Sequence, residues 1–366
     1  MSKAGSTALQ GSLHLARSDL LEKGVLYPEN PDGIDLYNHR LLNQPLSPYE
    51  SLPGDVRRKF PDEKHLRESY LALVDGISRQ IADTKPRCLV LSSEHIFRPI
   101  TEERAAQAHA EMGAFLGDDT EVLAYIRRPS SRYMSSMQQK LRHAQFRAPG
   151  PGSYRNPVIG IKRLFGDAKL HLVAFDRSLL VGGSTITDFA SRFLTEFGVD
   201  PNTLPSPRRT NESLSAPAIR LLSIFAERKA QGQFAELPPR TMRREISRAE
   251  KHLNLSRPKI HQEAADRIDY ANDQPLWLRD TYGVIFPDFD YARLERGEFT
   301  QPPSGNPLEG LMSVDEDEVR ALAERVERKT SDPSIRAFML PLCGLPRRII
   351  RKVYAGWGGA QTSKAS

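Results

Sequence analysis

Cysteine is scarce in this sequence: Cys88 and Cys343 are the two present among 366 residues. Two distant cysteines exclude a disulfide framework and give no paired spacing for metal ligation. The nine histidines are scattered without an H-x-x-x-H pair, so the sequence predicts no metal site. No apolar run approaches the roughly 20 residues of a membrane-spanning helix, and the start lacks the layout of a signal peptide. We therefore expect a cytoplasmic protein.

Acidic residues are missing from the C-terminal tail. Residues 335–366 contain six Lys and Arg and no Asp or Glu, and they account for the whole net charge of +6. Nucleic-acid-binding proteins usually spread their basic residues over one folded face. An excess of positive charge confined to a tail therefore argues against a nucleic-acid partner. In the tail, "LPRRIIRKVY" places apolar residues on one helical face among cations. This pattern predicts a peripheral membrane contact through residues 347–354, at the inner face of the membrane.

Short apolar segments alternate with amphipathic ones along the first half of the chain. Strands are predicted at residues 88–91, in "EVLAYIRR" (121–128) and in "KLHLVAFDR" (169–177). Helical spacing of apolar residues predicts helices over residues 6–21, 62–82, 101–117, 131–145, 216–230 and 314–329. This alternation predicts an α/β sheet with short crossovers.

The residues before the first predicted helix have the character of an anion-binding turn. Lys3-Ala4-Gly5-Ser6-Thr7 combines an ammonium group, a glycine and two hydroxyls ahead of the helix N-terminus. A Walker loop is excluded because G-x-x-x-x-G-K-[ST] is absent. The alternative is an ordinary N-terminus capped by Ser6 or Thr7.

A second anion-binding pattern occurs in "AYIRRPSSRYMSS", residues 124–136. Arg127 ends a predicted strand, and Ser135 lies eight residues later in the following helix. Ligands of open α/β sheets bind outside the carboxyl ends of strands, so both residues are candidates for one phosphate. The alternative is an exposed arginine beside an ordinary helix start.

Taken together, the two motifs resemble those of sulfotransferases that use 3′-phosphoadenosine 5′-phosphosulfate (PAPS), in particular the bacterial and carbohydrate-type branches. The resemblance covers about residues 1–190 and implies a P-loop-like, three-layer α/β sandwich with a central parallel sheet. It implies that the 5′-phosphosulfate is bound by Lys3, Gly5, Ser6 and Thr7. It also implies that the 3′-phosphate is bound by Arg127 and Ser135, with Pro129 at the family spacing between them.

The stretch "LSSEHIF" supplies candidates for the acid–base chemistry. Sulfuryl transfer to a hydroxyl needs a base for the acceptor proton, by the same in-line logic as phosphoryl transfer. The resemblance implies that Glu94 is that base. The alternative is that Glu94 is a carboxylate at a helix N-terminus, where the helix dipole favours negative charge. His95 is the competing base, His39 is a further candidate base or substrate contact, and Arg98 is a candidate for binding an anionic acceptor.

The family's first strand and the proline before Lys3 are not present in this sequence. Because the loop residues themselves are intact, we expect in-frame codons upstream of Met1 to encode that strand. The composition along the chain predicts an α/β domain over residues 1–295, mostly helical after residue 190. A Pro- and Gly-rich linker or loop is predicted over 296–310 and a helical segment with the basic tail over 311–366.

The predicted function is transfer of a sulfuryl group from PAPS to a hydroxyl of a small molecule, carbohydrate or glycolipid, without a metal. Two alternative functions are also compatible with the sequence. A small-molecule kinase would share the fold but would need a Walker lysine and a carboxylate for Mg²⁺. A degraded, non-catalytic relative that binds anionic membranes through its tail would need neither.

Overall fold

A computed structural model gives the fold of the chain. It describes residues 5–30, 38–52, 54–93, 96–113, 115–117, 119–150, 152–166, 168–207, 213–303, 308 and 310–344. The strands are β1 (Val25–Leu26), β2 (Cys88–Leu89), β3 (Glu121–Ile126) and β4 (Lys169–Ala174). The helices are α1 (Ser6–Leu15), α2 (Arg17–Glu22), α3 (Gly54–Lys59), α4 (Glu63–Thr84), α5 (Glu102–Met112), α6 (Pro129–Arg142), α7 (Arg155–Phe165), α8 (Thr185–Phe193), α9 (Ala216–Ala230), α10 (Pro239–Glu250), α11 (Gln262–Asp269), α12 (Gln274–Tyr282), α13 (Tyr291–Glu295), α14 (Glu316–Lys329) and α15 (Pro333–Met339).

The described strands form two parallel pairs. β1 lies beside β2 with Val25 opposite Cys88, and β3 lies beside β4 with Glu121 opposite Lys169 and Ile126 opposite Ala174. Parallel neighbours need crossover connections, and helices supply them here. The predicted mixed α/β class is therefore confirmed, with helices predominating and each described sheet holding two short strands.

The chain divides into two compact units that interleave along the sequence. The first unit comprises Met1–Arg128, Ser153–Thr210 and Asp273–Gly297. The second comprises Pro129–Gly152, Asn211–Asn272 and Glu298–Ser366. The chain enters the second unit three times: between β3 and β4, before α9 and after α13.

Amphipathic helices form much of the apolar core of the first unit. In α4 the buried side chains include Tyr70, Leu73 and Ile77, which share one face at helical spacing. They belong to one apolar cluster with Met112 of α5 and Leu164 of α7. A second cluster joins the side chains of α1, β1 and α8 through Leu13, Val25, Ala190 and others. This second cluster holds α1 and α8 together.

The second unit is built around α9. This helix is buried along most of its length, including Leu221, Leu222 and Phe225. The ring of Phe225 meets that of Phe338 edge-to-face, with centroids 5.6 Å apart, a favoured aromatic geometry. Ser215 accepts a hydrogen bond from the backbone N–H of Ala218 and so caps the helix.

Candidate functional site

Helix α1 begins directly after a glycine in the left-handed conformation. Gly5 has φ of 82°, and its carbonyl accepts the N–H groups of Ala8 and Leu9 at 3.0 and 3.1 Å. A Cβ at this position would lie 2.6 Å from Oγ1 of Thr185. Glycine is therefore required here both by its backbone angle and by the close approach of Thr185. Ser6 and Thr7 form the first turn of α1, and Lys3 lies outside the described residues.

Thr185 is itself the first residue of α8, so the N-terminal ends of α1 and α8 meet at this point. Ser184 caps α8 by accepting a hydrogen bond from the N–H of Ile186 at 3.2 Å. Each helix N-terminus carries a partial positive charge, which favours anions. Both helices belong to the first unit, and together they place two such termini side by side.

A buried carboxylate joins α8 to the carboxyl end of β3. Asp188 is fully buried and accepts hydrogen bonds from the Tyr125 hydroxyl at 2.8 Å, the Val181 N–H at 3.1 Å and the Arg192 guanidinium at 2.8 and 3.1 Å. Burial opposes ionisation, but the hydrogen bonds from Arg192, Val181 and Tyr125 hold the pKa of Asp188 below its usual value. The two helix N-termini are thereby fixed beside the end of β3.

Arg127 follows β3 directly and is held at its backbone and its side chain. The Tyr154 hydroxyl donates to the Arg127 carbonyl at 2.7 Å. The guanidinium lies over the ring of Phe175, 4.4 Å from the centroid, a cation–π geometry. Burial lowers the pKa of Arg127 to about 10. A half-buried cation at the carboxyl end of two parallel strands is suited to an anionic ligand.

Ser135 lies in α6, in the second unit, so the two residues of the predicted 3′-phosphate motif belong to different units. Within the second unit, the start of α6 already has a carboxylate partner. Asp269 is 1% exposed and accepts the N–H of Ser130 at 2.7 Å and its hydroxyl at 3.0 Å. The first turn of α6 is thus capped by the protein itself.

The segment after β2 is held by side chains of two other elements. Gln10 of α1 donates to the Ser92 hydroxyl at 3.1 Å, and Asn43 donates to the Ser93 hydroxyl at 2.7 Å. These two serines directly precede Glu94 and His95, which lie outside the described residues. The chain leading to the predicted base is therefore fixed to α1 and to the 3-10 helix over Arg40–Leu46.

His39 is buried, with 1% exposure, and both of its ring nitrogens are occupied. Nε2 lies 3.2 Å from the Pro28 carbonyl, and Nδ1 accepts the N–H of Ser92 at 3.0 Å. This pairing requires the neutral ring with its proton on Nε2, and burial lowers the pKa of His39 to about 4. The geometry favours a structural link between two segments over the predicted role in catalysis or substrate binding.

Arg98 is half-buried, and burial lowers its pKa. Its backbone lies against α7, where a Cβ on Gly160 would be 2.5 Å from the Arg98 carbonyl oxygen. Over the described part of the chain, its guanidinium pairs with no carboxylate. Arg98 therefore stays a candidate for an anionic group of an acceptor.

Gly5, Ser6, Thr7 and Arg127 are predicted site residues that the structure describes, whereas the residues that hold them in place, Tyr125, Thr185 and Asp188, were not predicted. Tyr125 has a local signal, because it lies in β3 two residues before Arg127. Thr185 has none, since Gly5 lies far away in sequence. Asp188 has a local signal in its spacing of four residues to Arg192, but its contact with Tyr125 spans 63 residues. Among the described residues, no group of three His, Cys, Asp or Glu side chains is placed to hold a metal ion, and no helix there has the length and apolarity to cross a bilayer.

The contact between Gly5 and Thr185 gives a testable expectation. Gly5→Ala should lower the free energy of unfolding by about 1 kcal/mol more than Gly198→Ala, because both positions have positive φ but only the first meets a neighbour. Thermal or urea unfolding of both variants measures this difference. Thr185→Ala in the Gly5→Ala background should recover part of the difference; equal losses at the two glycines would contradict the close packing.

Comparison of the chain with protein-family models, with curated proteins and with solved structures gives no match.

Proposed function

We propose that this protein transfers a sulfuryl group from PAPS to a hydroxyl of a small molecule, carbohydrate or glycolipid. The observation that carries the proposal is the meeting of the α1 and α8 N-termini at Gly5 and Thr185, beside the carboxyl end of β3. This place suits the negatively charged phosphosulfate, and it is where the family resemblance puts it. A P-loop-like, three-layer arrangement around the parallel strands is part of the proposal.

The proposed roles follow the chemistry of the transfer. Backbone N–H groups at the start of α1, with Ser6 and Thr7, would bind the 5′-phosphosulfate, while Arg127 would bind the 3′-phosphate. The bond between sulfur and the bridging phosphate oxygen breaks as the acceptor oxygen bonds to sulfur. Lys3 would neutralise the charge that grows on the bridging oxygen. Glu94, or His95 in its place, would take the acceptor proton, and 3′,5′-adenosine bisphosphate would be released.

Two described features suit this assignment. Arg127 offers a half-buried guanidinium, and an anionic ligand would offset the cost of its burial. Arg98 offers a second half-buried cation in the segment that follows Glu94 and His95, where an acidic sugar or phosphorylated headgroup could bind. The acceptor class therefore includes hydroxyl compounds that carry a negative charge.

Calorimetry with 3′,5′-adenosine bisphosphate against ATP tests the proposal. The protein should bind the bisphosphate more tightly, because ATP lacks the 3′-phosphate. Arg127→Ala should weaken bisphosphate binding by about 2 kcal/mol through loss of a charge-assisted contact, and discrimination against ATP should fall in parallel.

Arg128→Ala is the matched control for that measurement. It removes the same charge from the adjacent position, but the Arg128 guanidinium lies near the Pro287 carbonyl at 3.3 Å and over the ring of Phe289. Its loss should leave bisphosphate binding within a factor of about two. Equal affinities for the bisphosphate and ATP, or equal effects of the two arginine variants, would overturn the nucleotide assignment.

A further inference from the structure

Helix α10 of the second unit presents a row of cations to solvent. Arg240, Arg244, Arg248 and Lys251 are exposed and recur at intervals of four, four and three residues, so they lie on one face of the helix. The row extends about 16 Å along the axis. The opposite face is buried through Met242, Ile246 and Ala249. The cationic row is therefore an outer surface of the second unit.

Few acidic side chains offset this row. Residues 239–251 contain five Lys and Arg against Glu245 and Glu250, a net charge of +3. Glu245 bridges Arg244 and Arg248 at 3.0 Å each, while the Arg244 and Arg248 side chains remain 59% and 65% exposed. Glu250 is committed to the N–H of Ser215 at 2.8 Å.

The charge order in α10 also opposes the helix dipole at its start. Arg240 lies in the first turn, which holds no acidic residue, although a helix N-terminus favours negative charge. Helix α14 of the same unit follows the rule, with Glu316, Asp317 and Glu318 first and Arg328 and Lys329 last. Its 14 residues have a net charge of −1. Helix α14 shows that a helix of this unit with an exposed face can carry balanced charge, so solubility alone does not explain why α10 has few acidic residues. The basic row of α10 instead points to an external anionic partner.

We propose that this row, Arg240, Arg244, Arg248 and Lys251, docks the protein on a membrane surface rich in anionic lipid headgroups. A straight row of cations on an outward helix face can lie along a planar array of phosphates. The apolar face of α10 is already buried in the unit, so the contact is electrostatic and the helix does not insert.

The sequence of the tail favours a membrane over a nucleic acid as the anionic partner. Ile349, Ile350 and Val353 are interspersed with cations there, and aliphatic side chains can partition among lipid chains but gain nothing from phosphodiesters. Stable peripheral anchoring takes two signals. The row on α10 supplies a purely cationic signal, in addition to the mixed signal in the sequence of the tail. The docking is independent of the proposed transfer reaction.

Vesicle co-sedimentation with the full chain tests the docking. Arg240→Gln/Arg244→Gln/Arg248→Gln should bind vesicles of phosphatidylcholine and phosphatidylglycerol about 100-fold more weakly than the unsubstituted chain. The matched control, Arg320→Gln/Arg328→Gln/Lys329→Gln on α14, changes the net charge equally and should bind like the unsubstituted chain. The tail is present in all three proteins, so its contribution cancels.

Two further measurements test whether the contact is electrostatic. One asks whether the planar shape of the guanidinium is needed, and the other asks whether the partner is a nucleic acid. Lysine at the same three α10 positions should restore vesicle binding, because lipid headgroups need charge and not the planar guanidinium fork, and added salt should weaken it. Equal binding by the α10 and α14 variants would overturn the docking. So would tighter binding to duplex DNA than to the anionic vesicles, with the same arginines required. Matching thermal unfolding of all variants would show that folding is preserved.

Discussion

Turnover should fall about 10²–10⁴-fold when Glu94 is replaced by Gln, with binding of 3′,5′-adenosine bisphosphate unchanged. The amide keeps the size and hydrogen-bonding capacity of the side chain but cannot accept the acceptor proton. In the proposed assignment other residues bind the nucleotide, so its affinity should not respond. The measurement is the rate of bisphosphate release from PAPS with the acceptor that supports the fastest turnover by the unsubstituted chain, paired with calorimetry.

His95→Asn is the comparison variant, because it changes the neighbouring candidate base. It should reduce turnover only mildly. A dead His95→Asn protein beside an active Glu94→Gln protein would reverse the assignment and make His95 the base. If both variants kept normal rates, the acceptor proton would have to leave by another route.

The surroundings of Ser92 and Ser93 explain why a base in the next position could be well placed. Ser92 is held by Gln10 through its hydroxyl and by His39 through its backbone. Ser93 is held by Asn43. Catalytic groups need positioning to within about 0.5 Å, and such fixed neighbours restrict the backbone that leads to residue 94.

Local sequence patterns predicted most of the longer elements. The apolar run of "EVLAYIRR" and the periodicity of residues 216–230 correspond to β3 and α9, because both patterns are set by neighbours within a few residues. The predicted helix over 6–21 is instead α1 and α2, separated at Ala16. The two-residue strand β1 was not predicted, since two residues cannot show a period and its pairing with β2 lies 63 residues away.

The candidate site was predictable only in part for the same reason. Gly5 and Arg127 carry local signals, a glycine before a helix and an arginine after a strand. Thr185 acquires its role from its approach to Gly5, and Asp188 from the Tyr125 hydroxyl 63 residues away. His39 is the clearest case: a lone histidine in sequence is a candidate base, whereas its partners Pro28 and Ser92, 11 and 53 residues away, make it a neutral link.

His39 should make folding stability depend on pH between about 6.5 and about 4. Its pKa is about 4 in the folded chain against 6.5 for an ordinary histidine, so the unfolded chain binds the proton more readily within this window. The contribution is fully present above pH 6.5 and is lost as pH falls to 4. It amounts to roughly 3 kcal/mol.

The groups around the ring account for this direction. Burial is the largest cause, and the Arg17 guanidinium also opposes a second cation, while the hydrogen bond to the Pro28 carbonyl acts in the opposite sense. The Tyr27 ring meets His39 edge-to-face at 4.9 Å and offers no charge to stabilise an imidazolium. Protonation at Nδ1 would also set an N–H against the N–H of Ser92, so the existing hydrogen bond would be lost.

Urea unfolding of the unsubstituted chain and of His39→Gln across this pH range measures the effect. The variant should be less stable near pH 7, because a glutamine replaces the ring less well, but its stability should fall much less on acidification. Leu41→Ala serves as the control, since it destabilises a neighbouring buried position without removing a titratable group, and it should retain the slope of the unsubstituted chain. If His39→Gln kept the full acid dependence, the buried ring would not be the group that titrates.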